Sequence, residues 1–308
     1  MFRLIGETNI NFLGLRKVAY TVSAVLVAIG IVGLVMIMTG KANLGIDFSG
    51  GVMITGHFEK PVAIEDLRAA VNAEFGDVQI TDLKDFVKPN AFIIKTKRPA
   101  TEAEGEEKLQ RLTQIVTESF PGNNFTRVSE HVIGPAVGQT LRKDAQKAVL
   151  LSLLGIVLYL WIRFDFRSGI VAALATLHDT LVVLGIIYLT GMEFDLLIVT
   201  ALLTLAGYSL NDKVVIYDRI RENLKRYRTR GEFAATVNAS INEVLSRTIN
   251  TGMTVLLVLG ALYFLGGEVL KGFAFSLLIG IIIGTYSSIF VASPIVVEWE
   301  ARRPKRFK

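Results

Sequence analysis

Cysteine is absent from the sequence, and histidine occurs only at His57, His131 and His178, which lie far apart along the 308 residues. Without cysteine the chain can form neither a disulfide nor a thiolate metal or redox site. A zinc site needs a cluster of ligands, which three scattered histidines do not supply. The sequence also has no phosphate-binding loop, nucleophile elbow or metal-ligand spacing. We therefore expect no metal, no cofactor and no enzymatic activity.

Charged residues are scarce, at 20% of the chain against 51% hydrophobic residues. Soluble domains carry about a quarter charged residues, and the mean hydropathy of +0.48 is high for one. The net charge of +5 is unevenly placed, because residues 42–145 have a net charge of −3 and the remainder +8. The basic excess lies in short segments beside apolar runs, as in the cytoplasmic loops of membrane proteins. These patterns favour a polytopic membrane protein and argue against a nucleic-acid partner.

Long apolar runs predict six transmembrane helices, each able to cross about 30 Å of hydrocarbon. The first run has 21 uncharged residues after Arg16 and Lys17. A cleaved signal peptide is the alternative, but the run is longer than the apolar core of a typical signal peptide and lacks a cleavage site of small residues. We interpret it as a retained anchor. The predicted spans are residues 18–38, 146–163, 168–190, 195–217, 248–266 and 272–297.

The distribution of Lys and Arg predicts that both ends of the chain are cytoplasmic. Basic residues concentrate in segments 1–17, 218–247 and 298–308, and Arg163 and Arg167 flank the connection between the second and third spans. The connection between the third and fourth spans has no basic residue, and the last connection has only Lys271. Segment 218–247 could also bind anionic lipid or a cytoplasmic partner, although topology alone explains most of its charge.

Residues 39–145 then form an extracytoplasmic domain between the first two spans. Alternating and helical periodicities predict the element order βαββαβ. This order is the split-βαβ, or ferredoxin-like, pattern, in which one sheet face is free to meet a partner. The predicted fold class is an α-helical polytopic membrane protein with one α+β ferredoxin-like domain. The elements are strands at 51–59, 78–83, 91–96 and 125–131, and helices at 61–75 and 102–120.

Four ionisable residues stand out because they lie away from the ends of the predicted spans, namely His178, Asp179, Asp212 and Lys213, with Asn211 beside the last two. A charge in hydrocarbon costs at least about 2.5–3.5 kcal/mol on insertion scales. Asp212 lies about five residues, or roughly 7–8 Å, from the cytoplasmic end of its span. It must therefore face the bundle interior.

Two roles for Asp212 remain open from these residues alone. Burial favours its neutral form and a nearby cation its carboxylate, so a movable cation would suit proton-coupled work. The alternative is a static ion pair that fixes helix packing. Arg247, at the start of the fifth span, is the best candidate partner.

The other intramembrane groups favour structural roles. His178 and Asp179 could form a proton relay, but a hydrogen-bonded structural pair is the preferred interpretation. Lys213 is expected to reach the interface or a local carboxylate rather than to act as a catalytic amine. Gly280 and Gly284 form a GxxxG motif that allows close helix contact.

Several motifs in combination resemble the SecF branch of the SecD/SecF family of bacterial protein-export membrane proteins, within the resistance-nodulation-division superfamily. The resemblance covers essentially the whole chain. The motifs are Gly45–Gly51, Ile133–Leu141, Leu177–Asp179, Gly207–Val215, Leu245–Thr251, Gly266–Phe273 and Gly284–Ile289.

The resemblance implies a multi-pass subunit of the bacterial inner membrane that pairs with SecD, with six helices from each. The pair would associate with the SecYEG translocon and YajC and use the proton motive force to promote late export of unfolded preproteins. Asp212 and Arg247 match the family's proton-passage positions, whereas Lys213 stands where a small hydroxyl residue is expected. The alternatives are a half-size efflux transporter of the same superfamily and a non-conducting translocon scaffold.

A mechanism follows from this resemblance as a hypothesis. Protonation of Asp212 would loosen its link to Arg247 and shift the fourth and fifth helices. The first and second helices would then transmit the motion to the outer domain.

Overall fold

A computed structural model describes residues 6, 8–76, 78–83, 90–97, 101–164, 166–226 and 233–303. A 3₁₀ turn at Leu13–Leu15 leads into the first helix, and a π-helical turn at Ser288–Ala292 separates the last two. The strands are β1 Gly51–Phe58, β2 Val78–Leu83, β3 Ala91–Lys97 and β4 Phe125–Ile133. The helices are α1 Arg16–Met38, α2 Ile46–Ser49, α3 Ile64–Phe75, α4 Glu102–Glu118, α5 Pro135–Arg163, α6 Phe166–Leu189, α7 Leu196–Arg226, α8 Phe233–Leu265, α9 Glu268–Ser287 and α10 Ser293–Arg302.

Five helical segments of the described residues are long and apolar enough to cross a membrane. Helix α7 is not among them, although it has 31 residues. Its apolar stretch runs into Asn211, Asp212 and Lys213, which lower its hydropathy. The sixth span therefore remains a prediction. The five segments are Leu13–Met38, Pro135–Arg163, Phe166–Leu189, Phe233–Leu265 and Glu268–Arg302.

Several helices extend beyond the apolar runs that marked them. Helix α5 begins at Pro135, at the first-turn position that proline favours, rather than at residue 146. Most of segment 218–247 is likewise helical, because α7 runs on to Arg226 and α8 starts at Phe233. Hydropathy marks only the part of a helix that lipid can cover, whereas the helix itself continues through polar residues. Residues 227–232 and 304–308, in predicted basic segments, lie outside the described part of the chain.

The segment between α1 and α5 folds around one antiparallel four-stranded sheet of order β2-β3-β1-β4. Its strands and two longer helices occur in the predicted order. Alternate residues of the central strands, such as Ile54 and Ile94, point to one face and are fully buried. Leu67 of α3 and Leu112 of α4 complete this core.

Helices α1 and α6 pack at glycine-sized distances. A Cβ atom on Gly30 would lie 2.2 Å from the Leu181 carbonyl oxygen, and one on Gly185 would lie 2.7 Å from the Gly30 nitrogen. Both values are far inside van der Waals contact, so the backbones approach as closely as small residues allow in membrane helices. Glycine residues, rather than apolar side chains, therefore determine the distance between α1 and α6.

Gly30→Ala is expected to destabilise the chain by about 1–3 kcal/mol, the usual cost of overpacking. Alanine is the better helix former by about 1 kcal/mol, so any loss must come from the contact with α6. Thermal unfolding in detergent measures the effect. Gly155→Ala on α5 is the matched control, because a Cβ atom there meets nothing within 4 Å. Equal stability of the two variants would contradict the close packing of α1 on α6.

The bundle core consists of two apolar layers. One contains Ala175 of α6, Ile216 of α7 and Ile289 after α9. The other contains Val183 of α6 and Leu205 of α7, together with Ile281 of α9. Between the two layers each helix contributes buried polar side chains, namely Asp179 of α6, Ser209, Asp212 and Lys213 of α7, and Ser287 of α9. The fold thus places a band of polar side chains inside the bundle.

Candidate functional site

A buried polar layer lies where α6, α7 and α9 meet. All of its side chains except Thr285 belong to residues at most 3% exposed. Polar groups at this depth are costly unless they are paired. Their partners therefore show what the layer can do. The polar layer consists of Asp179, Ser209, Asp212, Lys213, Thr285 and Ser287.

Asp179 is the centre of the layer and is fully buried. Its Oδ2 atom lies 2.8 Å from the Lys213 Nζ atom and accepts a 2.8 Å hydrogen bond from the Ser287 hydroxyl. The Ser209 hydroxyl donates to the same oxygen. The Oδ1 atom lies 2.8 Å from His178 Nδ1. Both carboxylate oxygens are thus satisfied and the charge has a cation, as a stable buried ion pair requires.

Lys213 is also fully buried and points into the bundle. Besides Asp179, its Nζ atom meets the Ser209 hydroxyl at 2.5 Å and the Ser209 carbonyl oxygen at 3.3 Å. An ammonium has three donors, and these contacts use all of them. The Lys213 side chain was expected to reach either the membrane interface or a local carboxylate, and in the structure it contacts the local carboxylate.

Asp212 has a different environment, although it is next to Lys213 in sequence. Its Oδ2 atom accepts one hydrogen bond, at 3.0 Å from the Thr285 hydroxyl. Among the described residues no cation lies within salt-bridge distance of this carboxyl group. The layer therefore holds two buried carboxyl groups, of which only Asp179 has a cation.

The predicted contact between Asp212 and Arg247 is not present in this structure. Arg247 is exposed on α8, and within the described part of the chain its side chain makes no hydrogen bond or ion pair. Asn211, beside Asp212, is exposed as well. The roles expected for these residues in ion passage remain predictions.

Sequence reasoning missed the hydroxyl groups of the layer. Ser209, Thr285 and Ser287 lie within or beside the motifs named above but received no role. The sequence feature that marks them is a hydroxyl side chain within an apolar helix, level with an ionisable residue on a neighbouring helix.

The two glycines of the GxxxG motif lie close to α7. A Cβ atom on Gly284 would lie 3.3 Å from the Ser209 Cβ atom, and one on Gly280 would lie 2.6 Å from the Leu205 side chain.

A second cluster joins the helix bundle to the sheet-containing segment between α1 and α5, which we call the outer domain. This cluster consists of residues 43–48 and 191–196, and we call it the outer connection. Leu44 and Phe194 form an isolated parallel β-bridge. The Phe48 and Phe194 rings stack with centroids 5.8 Å apart. The Asp47 carboxylate accepts a 3.0 Å hydrogen bond from the first backbone N–H of α7, at Leu196. Helix α7 therefore begins in direct contact with the chain that enters the outer sheet.

The outer sheet itself contacts this connection through an ion pair. Lys95 of β3 places its Nζ atom 2.7 Å from the Glu193 Oε2 atom, and both side chains are about four-fifths buried. Gln79 of β2 donates to the Asn43 side chain at 3.4 Å. A movement of the α6–α7 loop would thus act on the sheet directly.

Among the described residues, no group of three or more acidic or histidine side chains forms a metal site.

The family model described as "Protein export membrane protein SecD/SecF, C-terminal" matches residues 112–302. Among curated relatives, "Protein translocase subunit SecF" of Thermodesulfovibrio yellowstonii is 41% identical over 96% of this chain and 97% of its own length. The protein of the same name from Vibrio alginolyticus is 38% identical over 97% of this chain and 92% of its own length.

Solved structures of SecDF are similar as well. The crystal structure of SecDF from Thermus thermophilus, described as a translocon-associated membrane protein, has a TM-score of 0.77 and 38% identity over 96% of this chain. SecDF in a super-membrane-facing form gives a TM-score of 0.69 and 37% identity over 98% of this chain. This chain spans only 39% and 40% of those two chains.

Proposed function

Since the chain belongs to the SecD/SecF family of protein-export membrane proteins, as a SecF-type subunit of protein translocase, we propose that it uses the proton motive force to promote late steps of preprotein translocation. It is a transport subunit of a translocon-associated membrane complex rather than an enzyme. We place the complex in the bacterial inner membrane.

We propose six membrane-spanning helices with both ends in the cytoplasm. The sixth is α7, whose polar layer explains its low hydropathy. The sheet order β2-β3-β1-β4, with α3 and α4 on one face, supports a ferredoxin-like outer domain. The boundaries predicted from the sequence, with residues 39–145 outside the membrane, belong to this proposal.

One observation carries the proposed proton coupling: Asp212 is a buried carboxyl group with only a neutral hydroxyl partner. Lys213 balances the charge of Asp179. An ionised Asp212 would therefore leave the layer with one uncompensated negative charge in a medium of low dielectric constant. Either a proton on Asp212 or an approaching cation removes that charge.

Arg247 is the cation that we propose for the second state. It lies on α8, which packs beside α7, and has no ion-pair partner among the described residues. In the protonated state Asp212 binds only Thr285, and Arg247 is away from it. After proton release Arg247 moves toward the carboxylate. The protonated and the ionised form of Asp212 thus correspond to two different arrangements of α7 and α8.

The exposed polar groups support SecD as the partner. Asn211 is exposed within the fourth predicted span, where lipid cannot satisfy its amide, and Arg247 is exposed directly before the fifth. A second helical subunit would cover this face, and the longer SecDF chains contain additional residues that could do so. SecYEG, YajC and an unfolded preprotein complete the proposed assembly.

The outer connection provides a route for the motion. The mechanism expected from the sequence transmits the shift of the fourth and fifth helices through the first two. In the structure, α7 itself begins at the segment that contacts both Asp47 and, through Glu193, the outer sheet. A proton that crosses about 200 mV releases on the order of 4–5 kcal/mol. This free energy can bias a two-state movement by about a thousandfold.

Inverted membrane vesicles test the proposed function. Vesicles with SecYEG and SecD, with or without this chain, should differ in preprotein import only when a proton gradient is present. An uncoupler should abolish the difference. Equal stimulation in the presence of the uncoupler would contradict proton coupling, and no stimulation at all would contradict the export role.

Glu193→Gln tests the outer connection. It removes the charge that pairs with Lys95, and a pair of this kind is worth about 0.5–1 kcal/mol, so we expect about a two- to fivefold loss of gradient-driven import. The matched control is Glu74→Gln, which breaks the exposed pair between Glu74 and Arg111 inside the outer domain. A loss of the same size in both variants would show that the connection to α7 is not the cause.

A further inference from the structure

The environment of the Lys213 ammonium resembles a site for a free monovalent cation. The oxygen atoms around it are a carboxylate, a hydroxyl and a backbone carbonyl, at 2.8, 2.5 and 3.3 Å. Carboxylate, hydroxyl and carbonyl oxygens are the ligands that hard metal cations prefer. Residues Asp179, Ser209 and Lys213 are each 0% exposed, so the site is closed to water.

The site is also assembled from separate helices. Asp179 comes from α6 and Ser209 from α7. Ser287 of α9 holds the Asp179 carboxylate in place at 2.8 Å. Helix α9 comes close because Gly284 faces Ser209. These oxygen atoms would keep their positions if the ammonium were replaced by another cation, because the neighbouring helices hold them.

We propose that this polar layer contains a site for a monovalent cation and that the Lys213 ammonium occupies it as a tethered cation. The ammonium uses its three donors on the oxygens of the site and balances the one negative charge there. A free sodium ion would have to displace it and would leave a buried positive charge in excess. Wild-type protein therefore does not bind sodium at Asp179.

The consequence for coupling rests on the proposed function, whereas the cation site itself does not. Because Lys213 forms an ion pair with Asp179, that carboxylate is not available to a free cation. Asp212 is then the carboxyl group of the layer that can exchange an ion with the surroundings. Lys213 is then a specificity-determining residue, because it excludes sodium from the neighbouring carboxylate.

Lys213→Thr tests the site, since it removes the ammonium and adds one more hydroxyl oxygen. Thermal unfolding in detergent is compared in sodium chloride and in choline chloride at equal ionic strength. The midpoint of the variant should rise in sodium by about 3 °C, as expected at about thirty times the dissociation constant for a chain of 308 residues. The midpoint of the wild type should be the same in both salts. A folded variant without the sodium shift, or a wild type with it, overturns the proposal.

Asp179→Asn combined with Lys213→Thr is the matched control. It keeps the space but lacks the carboxylate, so the sodium shift should disappear, and its persistence would place sodium elsewhere and overturn the proposal. If Lys213→Thr does not accumulate, wild-type vesicles give the second measurement. Their gradient-driven import should be equal in sodium and choline buffers, and a sodium requirement overturns the exclusion. The unfolding assay contains no translocon, so it can fail while proton-driven export stands, and the reverse.

Discussion

Asp212→Asn is expected to abolish the gradient-driven part of preprotein import while leaving the gradient-independent part unchanged. The amide keeps the size of the side chain and can still accept the hydrogen bond from Thr285. It cannot alternate between a neutral and a charged form. The drive of about 4–5 kcal/mol per proton is therefore lost at this position, and stimulation should fall to the level without a gradient.

Import into inverted vesicles measures this effect, with the amounts of this chain and SecD matched by immunoblotting. Asp144→Asn is the control for the chemical change. Asp144 is 56% exposed on α5 and pairs with Lys147 at 2.9 Å, and such surface pairs contribute less than about 1 kcal/mol. Full stimulation with Asp212→Asn would assign Asp212 to packing. A loss that disappears once the amounts are matched would favour the scaffold alternative.

The outer domain was predictable because its signals are local. Alternation in β1 and helical spacing in α3 reflect which residues face one core. Strand β1 lies where its alternation predicted it, to within one residue, whereas α3 begins three residues later than predicted, at Ile64. The lengths of α5 and α7 were not predictable from apolar runs. Hydropathy depends on contact with lipid, and backbone hydrogen bonds continue a helix past the lipid boundary, as in the residues from Pro135 onward.

The pairing inside the polar layer could not be predicted from proximity in sequence. Lys213 is adjacent to Asp212 but pairs with Asp179 of α6. Adjacent residues on a helix point about 100° apart, so Lys213 and Asp212 face different neighbours. Which neighbour each one meets depends on the rotation of α7 against α6 and α9, and glycine contacts between helices determine that rotation. The sequence identified the ionisable residues but not which of the two carboxyl groups has the cation.

A double-mutant cycle measures that pairing and has the largest expected effect on stability. Lys213→Met alone leaves the Asp179 carboxylate buried without its cation, and Asp179→Asn alone leaves the buried ammonium without its counter-charge. Removing one partner of a buried pair costs about 3–5 kcal/mol. We expect each single variant to lose an amount in this range from the free energy of unfolding in sodium-free buffer.

The double variant should lose less than the sum of the two single losses, because it contains no unpaired buried charge. We expect a coupling free energy near the upper end of the range of about 0.5–3 kcal/mol found for contacting residues. The reference cycle replaces Lys147 by Met and Asp144 by Asn, whose exposed pair should couple by less than about 1 kcal/mol. Equal coupling in the two cycles would mean that Lys213 does not neutralise Asp179. The layer would then have two carboxyl groups without a cation, and Asp212 would no longer be distinguished from Asp179 as the site of proton uptake.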